Sequence, residues 1–294
     1  MPSAEHEKIV ELFQSMPREE APDLATQRAS FEALTQDFAL APGTEVMPTQ
    51  AGGVPAEWVG ASGADARRAV LYLHGGGYVI GSLNTHRSVA SRISAASGAR
   101  VLLLDYRLAP EHPFPAAVDD AFSAYRWLAT QGVLPEHVAI AGDSAGGGLT
   151  LALLAKIRDE GLPLPACGVC LSPWVDLEGK GATCEPGAVD DPMVTLEGLR
   201  AMGQSYAGGS LDAPLASPLH ADLTGLPPLL VQVGTREILL DDARRIAALA
   251  EAAGVSVTLE EEEGLMHVWQ LFPDVPESDA AVARIGAFVD RHLA

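Results

Sequence analysis

Apolar residues recur at helical spacing through about the first forty positions, and from Thr44 onward they gather into short runs of strand length. Ile9, Val10, Leu12 and Phe13, then Leu24, Phe31, Leu34 and Phe38, predict two helices, Glu7 to Met16 and Asp23 to Leu40, separated by Pro17 and Pro22. Both have the pattern of helices that lie on something else. Strand patterns follow at Thr44 to Thr49, Ala56 to Val59, Ala69 to Leu73, Arg100 to Asp105, His137 to Ala141, Cys167 to Leu171, Pro228 to Val233 and Val255 to Glu260. Helical patterns separate most of the later ones: Thr85 to Ser97, Ala116 to Gln131, Gly147 to Glu160 and Asp241 to Ala253, with Ser278 to His292 last.

Gly98, Gly132, Gly161 and Gly254 each follow a helical pattern, where a left-handed residue stops a helix. Strand and helix alternating in this way predict an α/β fold, an eight-stranded and mostly parallel sheet with helices on both faces and an antiparallel edge made by the early strands. One segment interrupts the alternation. From Pro173 to Pro227 the only regular pattern is a helix from Thr195 to Tyr206, and an insertion of this length predicts a lid or binding element. The chain therefore reads as one domain, 1–294, with a core of about 43–173 and 227–294. A cap of about 1–42 and 174–226 would lie over the C-terminal ends of the strands, where open α/β sheets bind their ligands.

Composition narrows the classes. Of 294 residues 48% are hydrophobic, enough for a large core, and the 39 acidic against 19 basic side chains give a formal charge of -20. Such a surface repels a phosphate backbone and an anionic membrane alike, so neither nucleic acid nor membrane is expected as a partner. The first residues lack a basic flank followed by an apolar run, no apolar stretch reaches membrane-spanning length, and a cytoplasmic protein is expected. The three cysteines do not suggest a disulfide framework. Cys167 and Cys170 resemble a metal-binding pair, yet they lie in an apolar strand without a second pair or nearby histidines, so buried thiols and no metal are expected.

Candidate chemistry centres on Gly142-Asp143-Ser144-Ala145-Gly146, a G-x-S-x-G sequence placed where a strand turns directly into a helix. A turn this sharp lifts the serine hydroxyl above the sheet. Acyl transfer by serine also needs a base, an acid that orients it, and donors for the oxyanion. Of eight histidines, His267 lies just past the last strand, where the chain order nucleophile, acid, histidine requires the base. Glu237 is the first carboxylate after the penultimate strand, whereas Asp241 and Asp242 stand where a helix begins and suit its N-terminus. His74-Gly75-Gly76-Gly77 ends another strand with bare backbone, and the amides of Gly76, Gly77 and Ala145 are candidates for the oxyanion hole. No cofactor is called for, since the phosphate-binding patterns G-x-x-x-x-G-K-[ST] and G-x-G-x-x-G are missing here.

These blocks, together with Asp105-Tyr106-Arg107-Leu108-Ala109-Pro110-Glu111 and Gly264 to His267, resemble in order and spacing the signature blocks of the hormone-sensitive-lipase family of α/β-hydrolases, the bacterial family IV esterases. The resemblance runs from about Ala56 to the C-terminus. It implies an α/β-hydrolase core with a helical cap and a serine carboxylesterase acting on small, short-acyl esters. A lactone hydrolase with the same triad would also fit the resemblance. A ligand-binding receptor without turnover is a further alternative, against which stands the retained His267. At the acid the chain departs from the family's Asp-Pro-Leu-like block, aligning Glu237-Ile238-Leu239 there.

The same resemblance implies an ion-pair network of Asp105, Arg107 and Glu111, an Asp143 bonded to the glycine turn, and Tyr78, Trp174 and Met193 on the substrate pocket, with a plain packing role for each as an equal alternative. It also implies a homodimer through the edge strand 255–260, against which the acidic run Glu260 to Glu263 acts as a blunting charge. Asp176, Glu178, Lys180, Glu185, Asp190 and Asp191 open the insertion, and would have to face an oil interface or be desolvated if the cap were a lipase lid.

Overall fold

Successive side chains of a β-strand point to opposite faces, so strands apolar at every position must be covered on both sides. The computed structural model, which describes residues 1–16 and 23–293, shows this arrangement. Its strands are β1 (Glu45–Ala51), β2 (Val54–Gly60), β3 (Asp65–Leu73), β4 (Ala99–Leu104), β5 (Val138–Asp143), β6 (Cys167–Leu171), β7 (Leu229–Gly234) and β8 (Val257–Glu262). They form one sheet in the order β1-β2-β4-β3-β5-β6-β7-β8, antiparallel at β1/β2 and β2/β4 and parallel from there to β8. The expected antiparallel edge is thus present.

The helices are α1 (Ala4–Ser15), α2 (Leu24–Thr35), α3 (Leu83–Ser97), α4 (Ala116–Thr130), α5 (Ala145–Asp159), α6 (Leu196–Ala207), α7 (Leu240–Ala252) and α8 (Pro276–His292). Leu71, Leu73, Leu102, Leu104 and Ile140 face one apolar layer with α4, α5 and α7, and Val70, Tyr72, Val101, Leu103 and Ala139 face the other with α3 and α8. The Cys167 and Cys170 thiols fall in opposite layers, so these two side chains cannot converge on one ion.

Element ends differ from expectation where a side chain or turn intervenes. Ser82 and Thr85 form a capping box that starts α3 two residues early. The predicted last strand slides by two residues to Val257–Glu262, because the Val255 amide bonds back to Ala250 to close α7. Pro17 and Pro22, expected to separate the first helices, lie outside the described residues, but Asp23 starts α2 by accepting the Thr26 amide. The glycines at 98, 132, 161 and 254 all have positive φ, as helix stops require.

Three other expectations are corrected. Arg107 pairs with Asp120 of α4, and Glu111 with Arg28 of α2, whereas Asp105 joins neither pair. Arg28 also donates to the carbonyls of Val79 and Ala109, and so ties α2 to the loops beside the glycine turn. Asp241 and Asp242 do not cap α7; they hold the insertion. Buried Asp242 accepts the amides of Val175 and Asp176, Asp241 accepts that of Ala182, and Arg245 pairs with both carboxylates.

Asp176 and Asp191, finally, do not meet solvent or an oil phase but are buried, and backbone amides satisfy them: Glu178 and Lys180 for the first, Met193, Val194 and Ile238 for the second. A carboxylate given several N–H donors is far less costly to bury than an unpaired one. Among the described residues no helix is long and apolar enough to cross a membrane.

Candidate active site

The site begins with a steric constraint at the end of β5. A Cβ on Gly146 would lie 1.9 Å from the Leu73 carbonyl oxygen, and one on Gly142 would lie 2.3 Å from that of Gly146, so neither position admits a side chain. Between them Ser144 takes φ 52° and ψ −118°, a region that non-glycine residues rarely occupy, and its amide is anchored to the Leu171 carbonyl at 2.8 Å. Helix α5 starts at the next residue. The serine side chain therefore stands clear of the sheet with a helix N-terminus beside it.

Two further loops converge on that hydroxyl. His267, on the loop after β8, puts Nε2 at 3.0 Å from Ser144 Oγ and Nδ1 at 2.9 Å from Glu237 Oε2. Glu237 is fully buried and also accepts the Gly234 amide, so its charge is directed at the imidazole. Burial by itself would depress the His267 pKa. The hydrogen bond and charge of Glu237, with smaller contributions from Asp191 and Asp143, outweigh that effect and raise it above the ordinary histidine value. Such a chain can take a proton from the serine and hold it as imidazolium.

The glycine turn after β3 forms the third wall. Asp143 is buried beneath it and accepts from the Gly75 amide, the Tyr72 hydroxyl and the His86 ring, which brings the expected bond between Asp143 and the turn into being. Among the described residues, the amides of Gly76, Gly77 and Ala145 have no protein acceptor. A Cβ on Gly77 would strike Met202 Sδ at 2.1 Å, which shows how closely α6 of the insertion covers this turn. His74 is no rival base, because burial pushes its pKa down to about 3 and its ring stacks on Tyr106.

These groups open into an apolar cavity of about 320 Å³. Phe13 of α1, Phe31 and Leu34 of α2, and Leu199 and Met202 of α6 line it, facing Ser144 and His267. Met193 is on the wall as expected. Tyr78 and Trp174 are not: both are buried beneath the cavity, Tyr78 stacked face to face on Tyr206 at 3.7 Å and Trp174 bonded through its ring N–H to the Asp176 carbonyl.

Two residues important to the geometry were not given these roles in the sequence: Ser172 was not singled out, and Asp191 was read only as one of the charges that open the insertion. Ser172 accepts the amide of Val268, and Asp191 joins the cavity wall at Met193 and Val194 to the amide of Ile238, next to Glu237. Neither belongs to a motif, and their roles arise only when distant segments meet.

Comparison with known proteins agrees with this fold. A protein family described as an alpha/beta hydrolase fold matches residues 70–271. An acetyl-hydrolase of Streptomyces hygroscopicus is 50% identical over 236 residues, 80% of this chain and 79% of that protein. An esterase of Acinetobacter venetianus is 36% identical over 264 residues, 89% and 87% of the two chains. Among solved structures, an esterase from the bacterial hormone-sensitive lipase family superposes with a TM-score of 0.95 at 47% identity, covering 100% of both chains. The esterase EstE5, from a crystal soaked by p-nitrophenyl butyrate, gives a TM-score of 0.95 at 46% identity over 99% of each chain.

The raised pKa of His267 makes a prediction about pH. If the neutral imidazole is the working form, ester hydrolysis falls as the pH drops through a midpoint above 6.5, the ordinary histidine value. Glu237→Gln removes the charge that raises it, so the residual activity of that variant should have its acid limb at lower pH. Profiles of kcat/KM from pH 5 to 9 for the two proteins check this, and coincident limbs would separate Glu237 from the titrating group.

Proposed function

Because this chain belongs to the hormone-sensitive-lipase family of α/β-hydrolases and hydrolyses carboxylic esters, we propose that it works as a serine esterase through an acyl-enzyme. The supporting observation is the continuous hydrogen-bonded chain Ser144–His267–Glu237 at the mouth of an apolar cavity.

In this reading Ser144 Oγ attacks the ester carbonyl while His267 Nε2 takes its proton. The carbonyl oxygen, now an anion, receives N–H bonds from Gly76, Gly77 and Ala145. Glu237 keeps the Nδ1 proton in place and stabilises the imidazolium. The imidazolium then protonates the departing alkoxide, leaving the acyl group on Ser144. Water, deprotonated by the same imidazole, attacks that acyl group, and collapse of the second tetrahedral intermediate returns the proton to Ser144 and releases the acid.

Ser144→Ala or His267→Ala should each lower kcat for p-nitrophenyl acetate by about a thousandfold or more, since the triad acts as a unit. Thermal stability should be nearly unchanged. Activity retained in Ser144→Ala would put the nucleophile elsewhere.

The substrates we propose are soluble esters with acyl chains of about two to eight carbons. The cavity is at the small end of the usual range for ligand pockets, and the cap of about 1–42 and 174–226 bounds it through Phe31, Leu199 and Met202. The buried carboxylates of the insertion give no support here, since they are satisfied internally; the preference rests on cavity size. Hydrolysis across a series from acetate to palmitate should peak below twelve carbons. A maximum at twelve or beyond, or a rate jump above the solubility limit, would refute the preference.

A homodimer through β8 is proposed on separate grounds. This strand is a sheet edge with one side of its backbone unpaired, and the acidic run that was expected to blunt it is largely matched, Glu261 by Arg244 and both Glu260 and Glu262 by Arg284. Light scattering at micromolar concentration should give twice the 30.7 kDa chain mass, and a monomer would reject the pairing.

A further inference from the structure

Between the end of β8 at Glu262 and His267 the chain has no regular secondary structure, so the backbone beside His267 is fixed by partners from outside the loop. Val268 has φ 49°, a costly value for a β-branched residue, and will keep it only if its surroundings determine it fully. The amides on either side of His267 are each met by one side chain. Ser172 Oγ, from the end of β6, accepts that of Val268 at 3.2 Å, and His6 Nε2, from the first turn of α1, accepts that of Met266 at 3.2 Å.

His6 is unusual among these partners, because it arrives from the cap. It is 1% exposed, and burial outweighs the neighbouring Glu7 and Glu277 to lower its pKa, which keeps the ring neutral. Accepting from Met266 requires the unprotonated nitrogen to be Nε2, with the proton on Nδ1. Among the described residues Nδ1 has no hydrogen-bond partner, the nearest carboxylate oxygen being Glu7 Oε1 at 3.8 Å. A buried donor left unmet is a cost that packing for shape alone would have avoided. The same helix carries Phe13 on the cavity wall, and its N-cap Ser3 is bonded by both N–H and hydroxyl to Glu277 of α8.

We propose that His6 is a positioning residue of the active site: by accepting the Met266 amide it holds the His267 loop in register with Ser144, and it does so only while cap helix α1 is docked. The inference rests on the serine-esterase reading above, and goes beyond it by making the base's position depend on a residue of the cap.

The test compares His6→Leu and His6→Asn, which lose an acceptor at that distance, with His6→Gln, a neutral side chain long enough to supply one. Glu277→Gln loosens the start of the same helix without touching Met266. For each, kcat and KM for p-nitrophenyl acetate are measured, with the rate at which a fluorophosphonate labels Ser144 and the thermal midpoint. Acetate is too small to need the Phe13 wall. The Leu and Asn variants should lose about tenfold in kcat and in labelling rate with KM changed less than about twofold. His6→Gln should recover most of that loss, and Glu277→Gln, which weakens the docking of α1 but leaves the His6 acceptor in place, should lower kcat by less than the loss variants do.

Should His6→Leu not fold, His6→Asn decides. The proposal is overturned if the folded loss variants keep kcat within about twofold of the parent, if Gln restores nothing, or if Glu277→Gln lowers kcat as much as the His6 variants, which would make helix docking in general the cause. Failure of the esterase reading has a different signature: the parent enzyme itself would resist labelling at Ser144.

Discussion

The contact on which the site depends is between two backbones. The turn from β5 into α5 presses against the end of β3 so closely that the Leu73 carbonyl occupies the space a Cβ on Gly146 would need. This contact does two things at once. It holds Ser144 in its strained conformation, and it brings the start of α5 next to the glycine turn that continues β3. The strain is tolerable because Leu171, Trp174 and Gly148 all bond the backbone of Ser144. A parallel sheet is well suited to this, since β3, β5, β6 and β7 all finish on the same side and deliver their loops to one place.

How much of this could be read from the sequence follows from how local each signal is. That Ser144, Glu237 and His267 would meet was legible because each follows a strand whose apolar run is plain and because chain order offers a role for each. The glycine turn was legible for the same reason. For Tyr78 and Trp174 the sequence left pocket and packing roles open, since a residue type and a position beside a motif do not give the direction of a side chain, and both are packed. The ion pairs failed on partner choice: Arg107 could be seen to need a carboxylate, but Asp120 became its partner only through the packing of α4. His6, Ser172 and Asp191 carried no local signal of their partners, Asp191 being readable only as one charge of the insertion, because their bonds span 260, 96 and 47 positions of chain.

Charge plays a different part from the one its total implies. The acidic excess is real, yet the carboxylates that matter structurally are buried ones that collect amides. Asp242 and Asp176 fasten the insertion to α7, Asp191 fastens it to the loop of Glu237, and Asp143 fastens the glycine turn. Each replaces a stretch of regular structure as the means of fixing a loop. A neutral polar residue at these places would meet fewer donors, which is why the loops around the site are acidic while the cavity they enclose is not.

Helix α1 is joined to segments far along the chain, His6 to Met266 and Ser3 to Glu277. During synthesis it leaves the ribosome long before either partner exists. Ile9, Val10 and Phe13 pack against the far layer of the core, which includes residues of α8 and of the loop before it, Phe272 among them. His267 emerges in that same later stretch. Until the stretch with Met266, His267 and Glu277 has been made, α1 cannot form these polar contacts, so the docking of the first helix and the meeting of Ser144 with His267 wait on the same later part of the chain.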